Sequence, residues 1–359
     1  MASTNPAHML DPLQLLAELI ALPGPPGQED EVRLAVERHV KEIGKDCTVD
    51  AKGNLLVPMH ADLDATSARI VVTAHLDEIA LMVTHVEADG LLRVKPLGGL
   101  HPWKWGDRPV SVLAHPQPLP GVLGFGSIHT EDPASVAQQA RTGPLKWHHA
   151  SVFTGLDAST LRDRGVRPGT RVVLAPEHRI LHRVGPFVAA HFLDDRADIV
   201  AWLLAIARLG EKGLSAPVLF AATTAEEVGG EGASYLLGGI RPHVCVALEI
   251  GPSVPEGPFA PHPAPTIWVA DSFSAASSQD LHLVAQICRE LGIEPRWQAL
   301  SRGGSDASCA AHRGLCARPI TLGIPVENSH GLEIMHQDAP AEMARLLAAL
   351  VERLAATLL

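Results

Sequence analysis

Histidine and carboxylate side chains gather in five short segments of the chain, each at the end of an apolar run or opening a helix. The first is Ala74-His75-Leu76-Asp77-Glu78. In an H-x-D triplet the imidazole can ligate a metal while the carboxylate accepts its other N–H and fixes the tautomer. Taken alone, this segment fits a structural histidine at a strand end better than a ligand. The second segment is Leu193-Asp194-Asp195-Arg196, two adjacent acids where a helix starts. An N-cap and a first-turn charge are favoured there without any metal. The third, Thr223-Thr224-Ala225-Glu226-Glu227-Val228-Gly229-Gly230, puts paired glutamates at the end of a buried strand, where like charges need a reason. One carboxylate on a metal and its neighbour acting as a base supplies that reason. The fourth is Glu249, closing the apolar run Val244–Leu248, at the kind of strand end where open α/β sheets place their sites. The fifth is His330 in Ile324-Pro325-Val326-Glu327-Asn328-Ser329-His330-Gly331, with His336 a nearby competitor. Together they offer two imidazoles and several carboxylates, a donor set suited to Zn²⁺, Co²⁺ or Mn²⁺ and not to a thiolate-preferring ion.

The elements that must position these residues follow from periodicity. Residues 11–22 predict a short helix ended by Pro23, Pro25 and Pro26, and Gln28–Lys45 a second with Val32, Val36, Val40 and Ile43 on one stripe. Strands are expected at Leu55–Met59, Arg69–Ala74, Val218–Thr223 and Val244–Ile250. Helices are expected at Asp195–Leu209, Gly232–Leu237, Ser278–Leu291 and Ala339–Leu358. This alternation predicts an α/β domain with a largely parallel sheet and helices on both faces. Residues 86–186 differ. Ala88-Asp89-Gly90 is a hairpin signal, His115–Gly126 is rich in turns, Arg171–Leu174 is a short strand, and helical periodicity is nearly absent. We expect a small β-rich domain over 86–186, inserted into a catalytic domain made of 1–85 and 187–359. The proline-rich stretch Pro252–Pro265 is expected to be one long surface loop.

Composition narrows the function. The 359 residues carry 29 Lys+Arg against 40 Asp+Glu, a formal charge of −11, which argues against nucleic acid or an anionic membrane as the main partner. No apolar run approaches the roughly 20 residues that cross a bilayer, and Met1–Leu10 lacks the pattern of a secretory signal. Cys47, Cys245, Cys288, Cys309 and Cys316 include no C-x-x-C pair and read as small buried hydrophobes in a reducing compartment. A cytoplasmic protein is expected.

The ordered set A-H-x-D-E, D-D-R, E-E-V-G, an acid, then I-P-x-x-x-x-H resembles the M42 family of dinuclear metalloaminopeptidases. Further likeness lies in Pro23–Glu29 (P-G-P-x-G-x-E), Gly98-Gly99-Leu100, Gly165-Val166-Arg167-Pro168-Gly169 and Gly303-Gly304-Ser305-Asp306, so the resemblance spans nearly the whole chain. It implies a zinc-peptidase-like fold and two divalent ions per subunit, zinc first, with cobalt or manganese as alternatives. Asp194 would bridge the ions, His75 and Glu249 would complete one site, and Glu227 and His330 the other. Glu226 would be the general base toward a metal-bridging hydroxide, and Asp77 would orient His75. Asp195 would sit beside Arg196 as an ion pair or helix cap. Gly304, Ser305 and Asp306 are carried as substrate-binding candidates. The resemblance further implies short peptides or peptide-like amides as substrates. It also implies a homo-oligomer, either a dimer or a dodecamer built from dimers, with the inserted domain serving oligomerisation and substrate access.

The chain departs from the family at Glu249 (usually Asp), Ala80 (usually Gly), Asp198 (usually small) and Glu327-Asn328 (usually Arg-Tyr). The last change bears on specificity. It leaves open a two-metal deacylase acting on an N-acylated or amidated peptide. A catalytically silent scaffold is disfavoured because every expected position is occupied. A two-carboxylate polysaccharide hydrolase would have no use for His75 and His330.

Overall fold

The computed structural model describes residues 10–60, 65–210, 213–255 and 260–358. It divides into two compact units, Met1–Asp77 with Leu181–Leu359, and Glu78–Ile180.

In the first unit four parallel strands form the centre of an 11-stranded sheet: Val218–Thr223, Ile70–His75, Val244–Pro252 and Arg318–Glu327. Antiparallel strands flank them. Leu55–Pro58 pairs with Val218–Thr223, and Glu333–His336 with Arg318–Glu327, followed by Phe187–Ala190 and His182–Val184. The parallel strands are buried on both faces, and their side chains sort by period two into separate cores. Ile70, Val72, Ala74, Val218, Phe220, Val244 and Val246 meet the helices Pro12–Ala21, Asp30–Glu42, Leu193–Leu209 and Ala339–Thr357. Val71, Leu219, Ala221, Cys245 and Ala247 meet Glu231–Ile240 and Asp306–His312. Helices therefore cover both faces of a mixed, largely parallel sheet. Each large apolar side chain fully buried in these layers contributes about 1.5–3 kcal/mol relative to exposure.

The helix Leu193–Leu209 is buried throughout except at Arg208, because it lies between the sheet and the helices Pro12–Ala21 and Ala339–Thr357. This explains its apolar run without an exposed stripe. Its first residues, Asp194 and Asp195, are not helical in φ and ψ. Ala339–Thr357 buries the expected stripe of Met343, Leu346, Leu347, Leu350 and Leu354. No helix among the described residues is long and apolar enough to cross a membrane.

The second unit is a closed barrel with strand order Ala80–Val86, Leu92–Leu97, Ser151–Phe153, Leu119–Gly124, Arg108–Val112 and Arg171–Leu174. Three short helices, Pro102–Trp105, Val136–Thr142 and Ala158–Asp163, interrupt its β structure. The boundaries differ from the expected 86 and 186. Ala80–Val86 pairs with Leu92–Leu97 and Arg171–Leu174 and so belongs to the barrel, whereas His182–Val184 pairs with Phe187–Ala190 in the large sheet. Near the two chain ends of the barrel unit, the Arg179 guanidinium donates both terminal nitrogens to the Glu78 carboxylate at 2.8 and 2.7 Å, and both residues are buried.

The proline-rich stretch contributes Pro252 to a strand, and its residues 256–259 lie outside the described residues. Residues 1–9, over which a signal sequence is not expected, lie outside them as well.

Candidate metal centre

The carboxyl ends of the central strands deliver the five segments to one place. His75 ends the strand Ile70–His75, and Thr223 lies beside it in register, so the turn that follows carries Glu226 and Glu227 to the same edge. Glu249 lies inside Val244–Pro252, His330 in the turn between Arg318–Glu327 and Glu333–His336, and Asp194 at the head of the buried helix.

Asp194 stands between two imidazoles. Its Oδ1 is 3.0 Å from His75 Nε2 and its Oδ2 is 3.3 Å from His330 Nε2. Donor atoms of His75, Asp194, Asp195 and Glu249 lie within 4.8 Å of one another, as do those of Asp194, Glu227 and His330. Two groups of N and O donors thus share one carboxylate, the arrangement needed to hold a pair of cations. His336 is elsewhere. Its Nδ1 accepts the Asp338 N–H at 3.2 Å and its ring meets Phe187 edge-on.

Electrostatics favour a cation here. Burial, joined by the Asp194 charge and opposed by the nearby imidazoles, pushes Glu227 up to about 7 and Asp195 and Glu333 up to about 8. Glu226 and Glu249 are also raised, again chiefly by burial. For Asp194 the effect of burial is outweighed by hydrogen bonds from His330 and His75, which hold it below the ordinary carboxylate range. For His75, burial is outweighed by Asp195, Asp194 and Asp77, and it is raised well above its ordinary value. Glu227 Oε1 and Asp195 Oδ1 are buried with no hydrogen-bond partner among the described residues. Orphaned, crowded carboxylate oxygens beside imidazoles fit a borderline divalent ion such as Zn²⁺, and no thiolate is among the donors.

A second set of carboxylates holds the backbone that carries the first. Asp77 accepts the N–H groups of Glu226 and Glu227 on its two oxygens at 2.9 and 3.1 Å. Its Oδ1 is also 3.4 Å from His75 Nδ1, and its carbonyl oxygen is 3.1 Å from the same nitrogen. Glu29, buried near the N-terminus, accepts the N–H of Ala225 at 3.2 Å, a residue with φ of 53° immediately before the paired glutamates. Asp195 Oδ2 accepts the His75 N–H at 2.8 Å. The Arg196 guanidinium donates to the carbonyls of Leu19, Leu76 and Asp77. Asp195 and Arg196, expected to sit together as an ion pair or helix cap, each hold backbone around His75 in this way. Glu333, which sequence reasoning missed, accepts the Asp194 N–H at 3.1 Å and the His330 N–H at 2.8 Å. Its only sequence signal is the short H-x-x-E spacing from His330.

Gly304, Ser305 and Asp306 lie beneath the strand ends. Ser305 caps Asp306–His312 and hydrogen-bonds Thr321 Oγ1, while Asp306 accepts from Thr223 Oγ1 at 2.6 Å. A Cβ at Gly304 would lie 2.3 Å from the Phe273 ring. Asp198 is fully buried, and burial together with the adjacent Asp195 charge raises its pKa well above the ordinary value.

With this geometry established, comparisons place the chain among known proteins. The family model of M42 glutamyl aminopeptidase matches residues 53–346. The chain is similar to lysyl aminopeptidase of Pyrococcus furiosus, 29% identical over 241 residues, or 66% of each chain. It is also similar to glutamyl aminopeptidase of Lactococcus lactis, 25% identical over 68% of this chain and 67% of the relative. Among solved structures, the TET1 peptidase of Pyrococcus horikoshii superposes with a TM-score of 0.82 at 27% identity, covering 95% of this chain and 99% of that one.

Proposed function

Since the chain belongs to the M42 family of glutamyl aminopeptidases, we propose that it removes N-terminal residues from short peptides, using two divalent ions held around Asp194. The observation that carries this reading is the position of Asp194, with one oxygen toward His75 and the other toward His330. His75 and Glu249 would hold one ion, Glu227 and His330 the other. When bound, such ions polarise a scissile carbonyl and lower the pKa of attacking water. Zinc suits this donor set best, and cobalt or manganese are accepted by the same chemistry.

The remaining work falls to this chain's own groups. Glu226 is the proton acceptor for the attacking water and then the donor to the leaving amine. Burial raises its pKa above the ordinary carboxylate range, the direction that suits a base that must also return its proton. Asp77 fixes the Glu226 and Glu227 amides, so the two adjacent carboxylates are aimed from a held backbone and need not be ordered at the moment of reaction. Gly304, Ser305 and Asp306 serve from below, holding Thr223 and the strand ends, and not as groups that touch the peptide.

Pyrococcus horikoshii TET1 peptidase can assemble into a tetrahedron or a large octahedral shell. We extend a homo-oligomer of this kind, built from dimers, to this chain, with the barrel Glu78–Ile180 serving oligomerisation and substrate access. A cytoplasmic location is the reading supported by five free cysteines, four of them buried.

The variant Glu226→Gln tests the assignment. It should retain both ions by metal analysis and lose turnover by about 10²–10⁴-fold. Near-normal turnover would remove Glu226 from the mechanism.

A further inference from the structure

We infer that Glu333 is a positioning residue for one of the two ion sites, fixing Asp194 and His330 relative to each other. This inference rests on the metal reading above. The glutamate is 1% exposed, and each of its carboxylate oxygens takes one backbone N–H, from Asp194 at 3.1 Å and from His330 at 2.8 Å. Those two residues are the shared ligand and a terminal ligand of one ion, yet they belong to segments far apart in sequence.

The placement of Glu333 makes the contact possible. It opens the strand Glu333–His336, which pairs on one side with Phe187–Ala190, the strand that runs toward Asp194. On the other side it pairs with the end of Arg318–Glu327, the strand that runs into the His330 turn. Ala190 is its direct partner in register. Glu333 thus stands where the two ligand-bearing segments converge.

Both segments need a clamp. Phe192 has φ of 68°, Asn328 of 62° and His330 of 60°, the left-handed region that non-glycine residues seldom occupy. Such conformations persist only where surrounding contacts fix them. An ionised or hydrogen-bonded carboxylate spanning two amide donors is such a contact, and it ties the aim of the Asp194 carboxylate to that of the His330 ring. The other site is built differently. His75 and Glu249 sit within strands whose ladder bonds hold them independently.

The prediction is therefore asymmetric. Removing the clamp should weaken the ion held by Asp194, Glu227 and His330 by about 10–100-fold, the usual effect of losing a group that orients a ligand. The ion held by His75 and Glu249 should change far less.

The test is titration of the full-length protein, stripped of metal, with Co²⁺, read by its visible absorbance and by equilibrium dialysis. Glu333→Gln keeps the side-chain shape but turns an amide NH₂ toward one of the two N–H donors. Glu333→Ala removes both acceptors. In the wild type two ions are expected to bind. In Glu333→Gln the weaker step should move to higher cobalt by the stated factor, and hydrolysis should recover at raised cobalt. If Glu333→Ala does not fold, Glu333→Gln carries the result. Two ions bound by Glu333→Gln with wild-type affinities would overturn the inference and leave the metal reading intact. Equal weakening of both ions together with a lowered unfolding midpoint of the metal-free protein would also overturn it, by showing a general structural role. A wild type that takes up no cobalt would overturn the metal reading itself, and the role of Glu333 with it.

Discussion

Removing divalent ions should invert the pH dependence of stability that an acidic protein would ordinarily show. In the metal-free chain Glu227 is raised to about 7, and Asp195 and Glu333 to about 8, with burial the largest cause in each case. A carboxyl raised in this way keeps its proton in the folded state while the unfolded chain has already lost it. Unfolding then releases protons, and stability falls as pH rises across the interval between the two values. His75, also raised, acts with the same sign, because its stabilisation is present at low pH and is lost as pH climbs through its folded-state value. Asp194, held low, acts with the opposite sign but only below the ordinary carboxylate range, outside a window of pH 5–8. Taking Glu227 alone, the rise from 4.5 to about 7 costs about 2–3 kcal/mol of stability between pH 5 and pH 8. The other raised groups add in the same direction. Urea unfolding of dialysed, metal-free protein at pH 5, 6, 7 and 8 measures this directly, and its midpoint should fall steadily. Saturating zinc should abolish or reverse the trend, since ligand deprotonation then favours the bound state. A metal-free midpoint higher at pH 8 than at pH 5 would refute the reasoning.

Three other outcomes follow from named contacts. Asp77→Ala removes the acceptor of the Glu226 and Glu227 amides and should destabilise the zinc-loaded protein by about 2–6 kcal/mol in urea, with Asp77→Asn retaining part of the loss. His330→Ala should lower bound metal by elemental analysis, while His336→Ala should leave it unchanged because that ring faces Phe187 and Asp338. Arg179→Met leaves the buried Glu78 carboxylate without its fork and should cost about 3–5 kcal/mol in chemical denaturation, part of which the double variant Glu78→Leu/Arg179→Met restores.

Much of the scaffold was legible because its signals are local. Val218–Thr223 is a strand over the expected span, and the run of buried β-branched residues at Ile70–Val72 placed another. The stripe of Met343, Leu346, Leu347, Leu350 and Leu354 marked the last helix, which ends at Thr357, one residue short of expectation. The insertion was legible from its turns, but its edges were not. Ala80–Val86 alternates too weakly to show that its partners are Leu92–Leu97 and Arg171–Leu174. At the site, side chains with ligand chemistry stood out at strand ends, and the structure gathers His75, Asp194, Glu227, Glu249 and His330 there. Asp77 stood out beside His75 and Glu29 within its glycine-proline motif, but the backbone amides that these two and Glu333 hold did not. Asp77 reaches Glu226 across 149 residues, Glu29 reaches Ala225 across 196, and Glu333 reaches Asp194 across 139. Contacts of that range leave no periodicity and no spacing in the chain. Asp198 is a related case. It was visible as a departure, but its burial against Asp195 depends on the helix Leu193–Leu209 lying in the interior.

The most direct test of the central claim is a paired assay on metal-reconstituted wild-type protein. It follows release of the N-terminal residue from an unblocked dipeptide amide and release of acetate from its N-acetylated counterpart, with Glu226→Gln as the blank. The account predicts cleavage of the free-amine substrate, with the acetylated one and the blank at background. Preferential cleavage of the acetylated substrate would instead make the chain a deacylase on the same scaffold, contradicting the account.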